Sequence, residues 1–130
     1  MKFLVGYTGS DESKAAMALA KDYAKIFNAK VIVITSMEGG AGEKPEDVSR
    51  AEANLKFATS FLEDAGVAFE TQHLARGYSP GEDLVVFAEE NEVDLMFVGI
   101  EKKSKTRKML LGSTAQFVIL KSPCPVVTTK

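Results

Sequence analysis

Two glycine-bearing segments in the last third of the chain hold the residues best suited to chemistry. Gly99 closes a short apolar run, Leu95-Met96-Phe97-Val98, and Gly112-Ser113-Thr114 opens a second apolar-periodic segment. Between them Lys102, Lys103, Lys105, Arg107 and Lys108 place five cations within seven residues. A glycine after a buried strand permits a sharp turn or lets a ligand approach the backbone. A Gly-Ser helix start leaves amide N–H groups at the positive end of the helix macrodipole, where anions are attracted. Strand, glycine, basic loop and helix start in that order predict a phosphate-binding loop.

Composition concentrates this signal. The chain has 130 residues, 45% of them apolar and 26% charged, which fits one domain, 1–130, able to bury a core without disulfides or metals. The segment from Glu101 to Lys108 carries five cations and one anion, a local charge of +4 in a chain of net charge −2, so −6 is spread over everything else. A general nucleic-acid binder is excluded on that balance, whereas a site for a small anion is favoured. Cys124 is the single cysteine and sits between two prolines; no intrachain disulfide can form, and a packed apolar role is expected for it. Met1-Lys2-Phe3-Leu4-Val5 lacks the long apolar region of a leader, and no run approaches membrane-spanning length, so a cytoplasmic protein with no membrane partner is expected.

The elements that would position the loop follow from hydrophobic periodicity. Phe3-Leu4-Val5 reads as a strand, and Ser10 with Asp11 and Glu12 as the capped, acidic start of a helix whose apolar face (Ala16, Leu19, Ala20, Tyr23, Phe27) ends near Asn28. Lys30 to Thr35 is β-branched and apolar on both faces, as an interior parallel strand is. Met37 to Arg50 is Gly-rich, charged and aperiodic; it is predicted to be one long loop and a candidate lid. Val48, Ala51, Leu55, Ala58, Leu62 and Ala65 then mark a second helix stopped by Gly66, and Val67 to Leu74 an edge strand with one wetter face. Pro80 begins a third helix carrying Leu84, Phe87 and Ala88. Ala115, Val118 and Ile119 are expected to face the core from a fourth, and Pro125 to Thr129 forms a last strand.

Strict β-α alternation specifies an α/β fold: a single domain with one five-stranded parallel sheet, helices on both faces and right-handed crossovers. Ligands on such sheets bind beyond the C-terminal strand ends, where the winding reverses. That rule brings Tyr7-Thr8-Gly9-Ser10, Thr35-Ser36-Met37 and the segment from Gly99 to Ser113 together, enough to hold a nucleotide. The P-loop pattern is absent, and no GxGxxG follows the first strand. The Thr8-Gly9-Ser10-Asp11-Glu12-Ser13 segment superficially resembles the phosphate loops of flavodoxins and ATP pyrophosphatases. Asp11 and Glu12 exclude it as a phosphate site, because two unit charges about 4 Å apart repel by roughly 4 kcal/mol at intermediate dielectric.

Gly99, twelve residues, Gly112-Ser113, a helix and Cys124-Pro125-Val126-Val127 together resemble the universal stress protein (UspA) family. The likeness extends over nearly the whole chain, including Gly9-Ser10-Asp11-Glu12-Ser13, Ala29-Lys30-Val31 and Val93 to Gly99. The resemblance implies a Rossmann-like fold of the adenine-nucleotide-binding type and the pattern G-x2-G-x9-G-[ST]. Gly99, Gly112 and Ser113 match that pattern, while Lys102 stands at its middle glycine and Thr8 stands where nucleotide-binding members carry an aspartate that contacts the ribose. It further implies a stress-response module that binds ATP or AMP, with or without Mg²⁺, as a regulatory ligand. The binding residues would be Tyr7, Thr8, Gly9, Ser36, Val98, Gly99, Lys102, Gly112, Ser113 and Thr114. It implies a homodimer in which Pro125 to Thr129 pairs with its twin, and a protein partner the sequence does not name.

No catalytic or metal-binding constellation accompanies these residues. The predicted pocket loops contain neither cysteine nor histidine, and His73, on the predicted edge strand, has no metal-ligand companion in sequence. A binding module is therefore favoured over an enzyme. Two alternatives remain open at this stage: a dimeric interaction protein of the same fold without nucleotide, and a slow ATPase.

Overall fold

The computed structural model describes residues 1–40, 42–101 and 111–130. Strands and helices alternate as β1 (Lys2–Gly6), α1 (Asp11–Phe27), β2 (Lys30–Met37), α2 (Pro45–Ala65), β3 (Phe69–Ala75), α3 (Pro80–Glu90), β4 (Leu95–Gly99), α4 (Ser113–Lys121) and β5 (Val126–Thr129). All strand pairings are parallel, in the order β3-β2-β1-β4-β5, so β1 lies at the centre and β3 and β5 at the edges.

The two faces of the sheet bury separate cores. Phe3, Val5, Tyr7, Val31, Val33 and Phe97 point one way, into the small-residue stripe Ala16, Ala20, Ala24 of α1 and onto Ala58 and Leu62 of α2. Leu4, Ile32, Ile34, Met96 and Val98 point the other way, onto Leu84, Val85, Phe87 and Ala88 of α3 and Val118 of α4. The alternation of neighbours between faces is the period of two expected of a strand covered on both sides.

The local signals act where the sequence places them. Ser10 caps α1, its hydroxyl accepting from Ser13 N–H at 3.1 Å. Asn28 ends that helix in the left-handed conformation (φ 53°), and Gly66 ends α2 likewise (φ 71°). Pro80 occupies the first turn of α3.

Two expectations are corrected. The loop predicted from Met37 to Arg50 is much shorter, because α2 begins at Pro45, in the first-turn position that suits proline, with Glu46 and Asp47 at its positive end. Asp47 and Arg50 therefore belong to a helix rather than to the candidate lid. Ile119 does not face the core; it is 44% exposed, since the nine-residue α4 packs inward through Ala115 and Val118, with Phe117 half-buried against the same core. No helix among the described residues is long and apolar enough to cross a membrane.

Candidate functional site

The strand order reverses between β1 and β4, the outward crossovers running to β2 on one side and to β5 on the other. At the C-terminal ends of β1, β2 and β4 the chain leaves a cleft of about 280 Å³. This is the position that doubly wound parallel sheets reserve for ligands.

Three walls are built by the predicted loops. Tyr7 and Thr8 follow β1, Thr35, Ser36 and Met37 end β2, and Val98, Gly99 and Glu101 leave β4; the first turn of α4, Gly112 to Ala115, closes the fourth side. Of the ten residues singled out in sequence, Tyr7, Thr8, Ser36, Val98, Gly99, Gly112, Ser113 and Thr114 border this space. Gly9 does not border it. Its φ is +83°, and a Cβ there would stand 2.4 Å from Asn54 Oδ1, so this glycine seats the β1–α1 turn against α2. Lys102, with Lys103, Lys105, Arg107 and Lys108, lies outside the described residues.

Gly99 owes its lack of a side chain to packing. A Cβ at this position would lie 2.4 Å from the Glu12 carbonyl carbon and 2.6 Å from Ser13 N, in the backbone of α1. The same corner is tied by Thr129 Oγ1, which donates to Glu12 O at 2.7 Å, and by Ile100 N–H, which donates to Thr129 O at 2.6 Å. The glycine thus lets the first turn of α1 rest on the end of β4, and so brings Thr8 and Glu101 into contact across the cleft.

Polar groups at the mouth form one connected set. Ser13 Oγ accepts Thr8 N–H at 3.2 Å and donates to Ser10 O at 3.0 Å. Thr8 Oγ1 donates to Glu101 Oε1 at 3.1 Å. Asn54 Nδ2 donates to Thr8 O at 3.0 Å, and Thr35 Oγ1 to Tyr7 O at 3.0 Å. These bonds hold the peptide units of Tyr7 and Thr8 rigidly along the floor. The Tyr7 ring turns under the floor and stacks on Phe57 of α2, centroids 6.5 Å apart and planes 6° from parallel. Its hydroxyl has no hydrogen-bond partner among the described residues, and burial raises the phenol above its ordinary pKa.

The α4 end of the cleft is the electropositive one. Gly112 occupies the cap position without a side chain, and no acid stands in the first turn. The first helical hydrogen bond is made by Gln116 N–H to Gly112 O at 3.1 Å, so the amides of Ser113, Thr114 and Ala115 precede it. Among the described wall residues Arg50 is the one cation, paired at 3.9 Å with Asp47 on the same helix. Sequence reasoning missed Asp47, Arg50, Asn54 and Glu101. For Asn54 a signal existed: it is a polar residue three places after Ala51, inside an otherwise apolar helical stripe.

Comparison with known proteins agrees with this construction. The universal stress protein family profile matches residues 1–130. A universal stress protein from Archaeoglobus fulgidus superposes with a TM-score of 0.92 at 34% identity, covering 100% of this chain and 98% of that one. Another, the universal stress protein from Archaeoglobus fulgidus solved in complex with dAMP, superposes with a TM-score of 0.86 at 31% identity over 100% and 98% of the two chains. A universal stress protein solved in complex with cAMP gives a TM-score of 0.80 at 28% identity, over 100% and 97%. On sequence match and overall superposition alike, the chain belongs to the universal stress protein family.

Proposed function

We propose that the cleft binds an adenine nucleotide, AMP or ATP, as a regulatory ligand, and that the protein acts as a cytoplasmic stress-response module without strong catalysis of its own. The observation that carries this reading is the uncapped, acid-free N-terminus of α4 opening onto the cleft at the topological switch point, beside a polar mouth and an apolar floor. The relatives solved with dAMP and cAMP support the same class of ligand.

In this reading the phosphates lie over Gly112, Ser113 and Thr114 near Gly99, with Lys102 contributing charge and Mg²⁺ accompanying ATP. The ribose faces Thr8 and Glu101. A carboxylate only accepts hydrogen bonds, so Glu101 suits sugar hydroxyls and is unsuited to phosphate; through Thr8 it returns an acidic oxygen to the place where nucleotide-binding relatives are expected to carry aspartate. The base lies between the ends of β1 and β2, near Tyr7, Ser36 and Val98. A homodimer through Pro125 to Thr129 belongs to the same proposal, supported by the position of β5 at the sheet edge with β4 on one side only.

Calorimetry with AMP, ATP with Mg²⁺ and adenosine tests the reading. Binding of both nucleotides, with adenosine at least tenfold weaker, is the expected result. No heat at millimolar nucleotide refutes it and leaves a nucleotide-free interaction protein of this fold.

A further inference from the structure

One side of the cleft is held less firmly than the others. Asp47, Arg50, Ala51 and Asn54 border it from the first half of α2, Pro45 to Asn54. Among the described residues of that stretch Ala51 alone is buried, and its side chain is a single methyl group. The second half is anchored: Ala58 and Leu62 are buried, Leu55 and Phe61 pack against the same core, and Phe57 stacks on Tyr7.

The start of the helix is loose as well. Lys44 stands at the cap position and makes no capping hydrogen bond through its side chain, and Gly39 (φ +85°) and Gly40 (φ +100°) precede it in the left-handed region. The Asp47–Arg50 pair is internal to the helix. Among the described residues, one side-chain hydrogen bond links the stretch to the rest of the fold, from Asn54 Nδ2 to Thr8 O at 3.0 Å. On the sheet side, His73 pairs in register with Thr35, two positions on from Val33 of the α2-side core, and so faces α2. Its Nε2 is buried without a partner among the described residues. Water reaching that atom would satisfy it, which lowers the cost of lifting the helix start.

We infer that the first half of α2 is a hinged wall, which opens as a local unit to admit the ligand, parting Asn54 from Thr8, and closes over the ligand once bound. This names a regulation of the cleft and rests on the nucleotide reading above for the ligand that closes it. The free energy of a local opening is set by the apolar contacts it gives up, and here they are few. A ligand that touches the closed wall shifts the balance toward the closed form by its differential affinity for it.

The test is residue-resolved hydrogen exchange by NMR on the full chain, with and without AMP. In the free protein the amides of Ser49 to Asn54 should exchange about tenfold faster than those of Phe57 to Leu62 once intrinsic rates are divided out, and saturating AMP should slow them about tenfold. Lys44→Ser adds the missing cap and should slow the same amides about fivefold. Because entry and exit share the open form, it should also slow AMP association and dissociation about fivefold each, read from NMR line shapes, with Kd unchanged. A cap that merely strengthened the fold would leave both rates alone. Lys44→Ala, which removes the charge without adding a cap, should match wild type. Equal exchange in the two halves of the free helix overturns the opening, and wild-type rates in Lys44→Ser overturn its part in ligand entry; the nucleotide reading survives either. Calorimetric binding of AMP with no slowing at Ser49 to Asn54 likewise overturns this inference alone, whereas absence of AMP binding overturns the nucleotide reading and the closure together.

Discussion

Two of the helix N-termini at the cleft, those of α1 and α4, are built in opposite ways. That of α1 is closed: Ser10 caps it, Asp11 and Glu12 neutralise its dipole, and its first turn is packed against Gly99 and tied to Thr129. That of α4 is open: Gly112 supplies no capping side chain, and its first turn holds two hydroxyls and no acid. A capped, acidic helix start contributes stability to the fold and repels anions, while an uncapped one trades stability for an anion site. The first therefore organises the cleft, and the second is where the phosphates are proposed to lie.

The largest expected effect comes from making the open end resemble the closed one. Gly112→Asp places a self-capping carboxylate where phosphate is proposed to sit; φ −61° and ψ 154° at this position suit any residue. Repulsion of roughly 4 kcal/mol at intermediate dielectric corresponds to about a thousandfold loss of AMP affinity. Adenosine should weaken far less, and stability should change by only about a few tenths of a kcal/mol, the difference between an aspartate and a glycine cap. Equal losses for AMP and adenosine would dissolve the distinction between the two ends.

Next in size is Gly99→Ala, which attacks the packing of the closed end. With 2.4 Å to the backbone of α1, the new methyl group forces that helix off β4 at a cost of about 1–3 kcal/mol, read as a Tm lower by several degrees. A variant as stable as wild type would show that the contact yields more easily than the geometry implies. Ser10→Ala removes the α1 cap and should cost about 1 kcal/mol in chemical denaturation, with AMP affinity within twofold of wild type because Ser10 does not border the cleft.

The smallest effect lies beneath the closed end. The Tyr7 hydroxyl is buried without a partner among the described residues, so Tyr7→Phe should leave stability near neutral pH within about 1 kcal/mol. At high pH the two chains should diverge. Burial holds the folded-state pKa above the ordinary 10.0, so the folded protein keeps a proton that the unfolded chain releases. Wild-type stability from this group is level below pH 10 and falls as pH rises above it; Tyr7→Phe lacks that share of the fall. Parallel denaturation profiles above pH 10 would refute the assignment.

Much of this could be read in the chain itself, because it depends on near neighbours in sequence. Alternating β-branched runs and amphipathic segments specified five strands and four helices, and the Ser10, Asn28, Gly66 and Pro80 signals marked helix ends correctly. Gly99 and Gly112-Ser113, picked out by their spacing, border the cleft. The boundary that failed, at Pro45, lay in a glycine-rich stretch where proline at a helix start is hard to tell from proline in a loop. Ile119 failed for a related reason: in a nine-residue helix Ala115, Phe117 and Val118 already make the inward contacts.

What the tertiary structure alone decided are relations between residues far apart in the chain. Asn54 reaches Thr8 across 46 positions, Thr8 reaches Glu101 across 93, and Ser36 reaches Asp83 across 47. Composition and periodicity state which residues can be buried and on which face, because those follow from the helix and strand repeats. They do not state which polar group meets which, because that depends on how far each crossover carries the chain and on side-chain geometry good to a few tenths of an ångström. So the sequence determined the sheet, its helices and a glycine-marked cleft. Only the packed structure decided that Gly99 is bare for the sake of α1, that Gly9 serves α2, and that the Ser36 hydroxyl is bonded to Asp83.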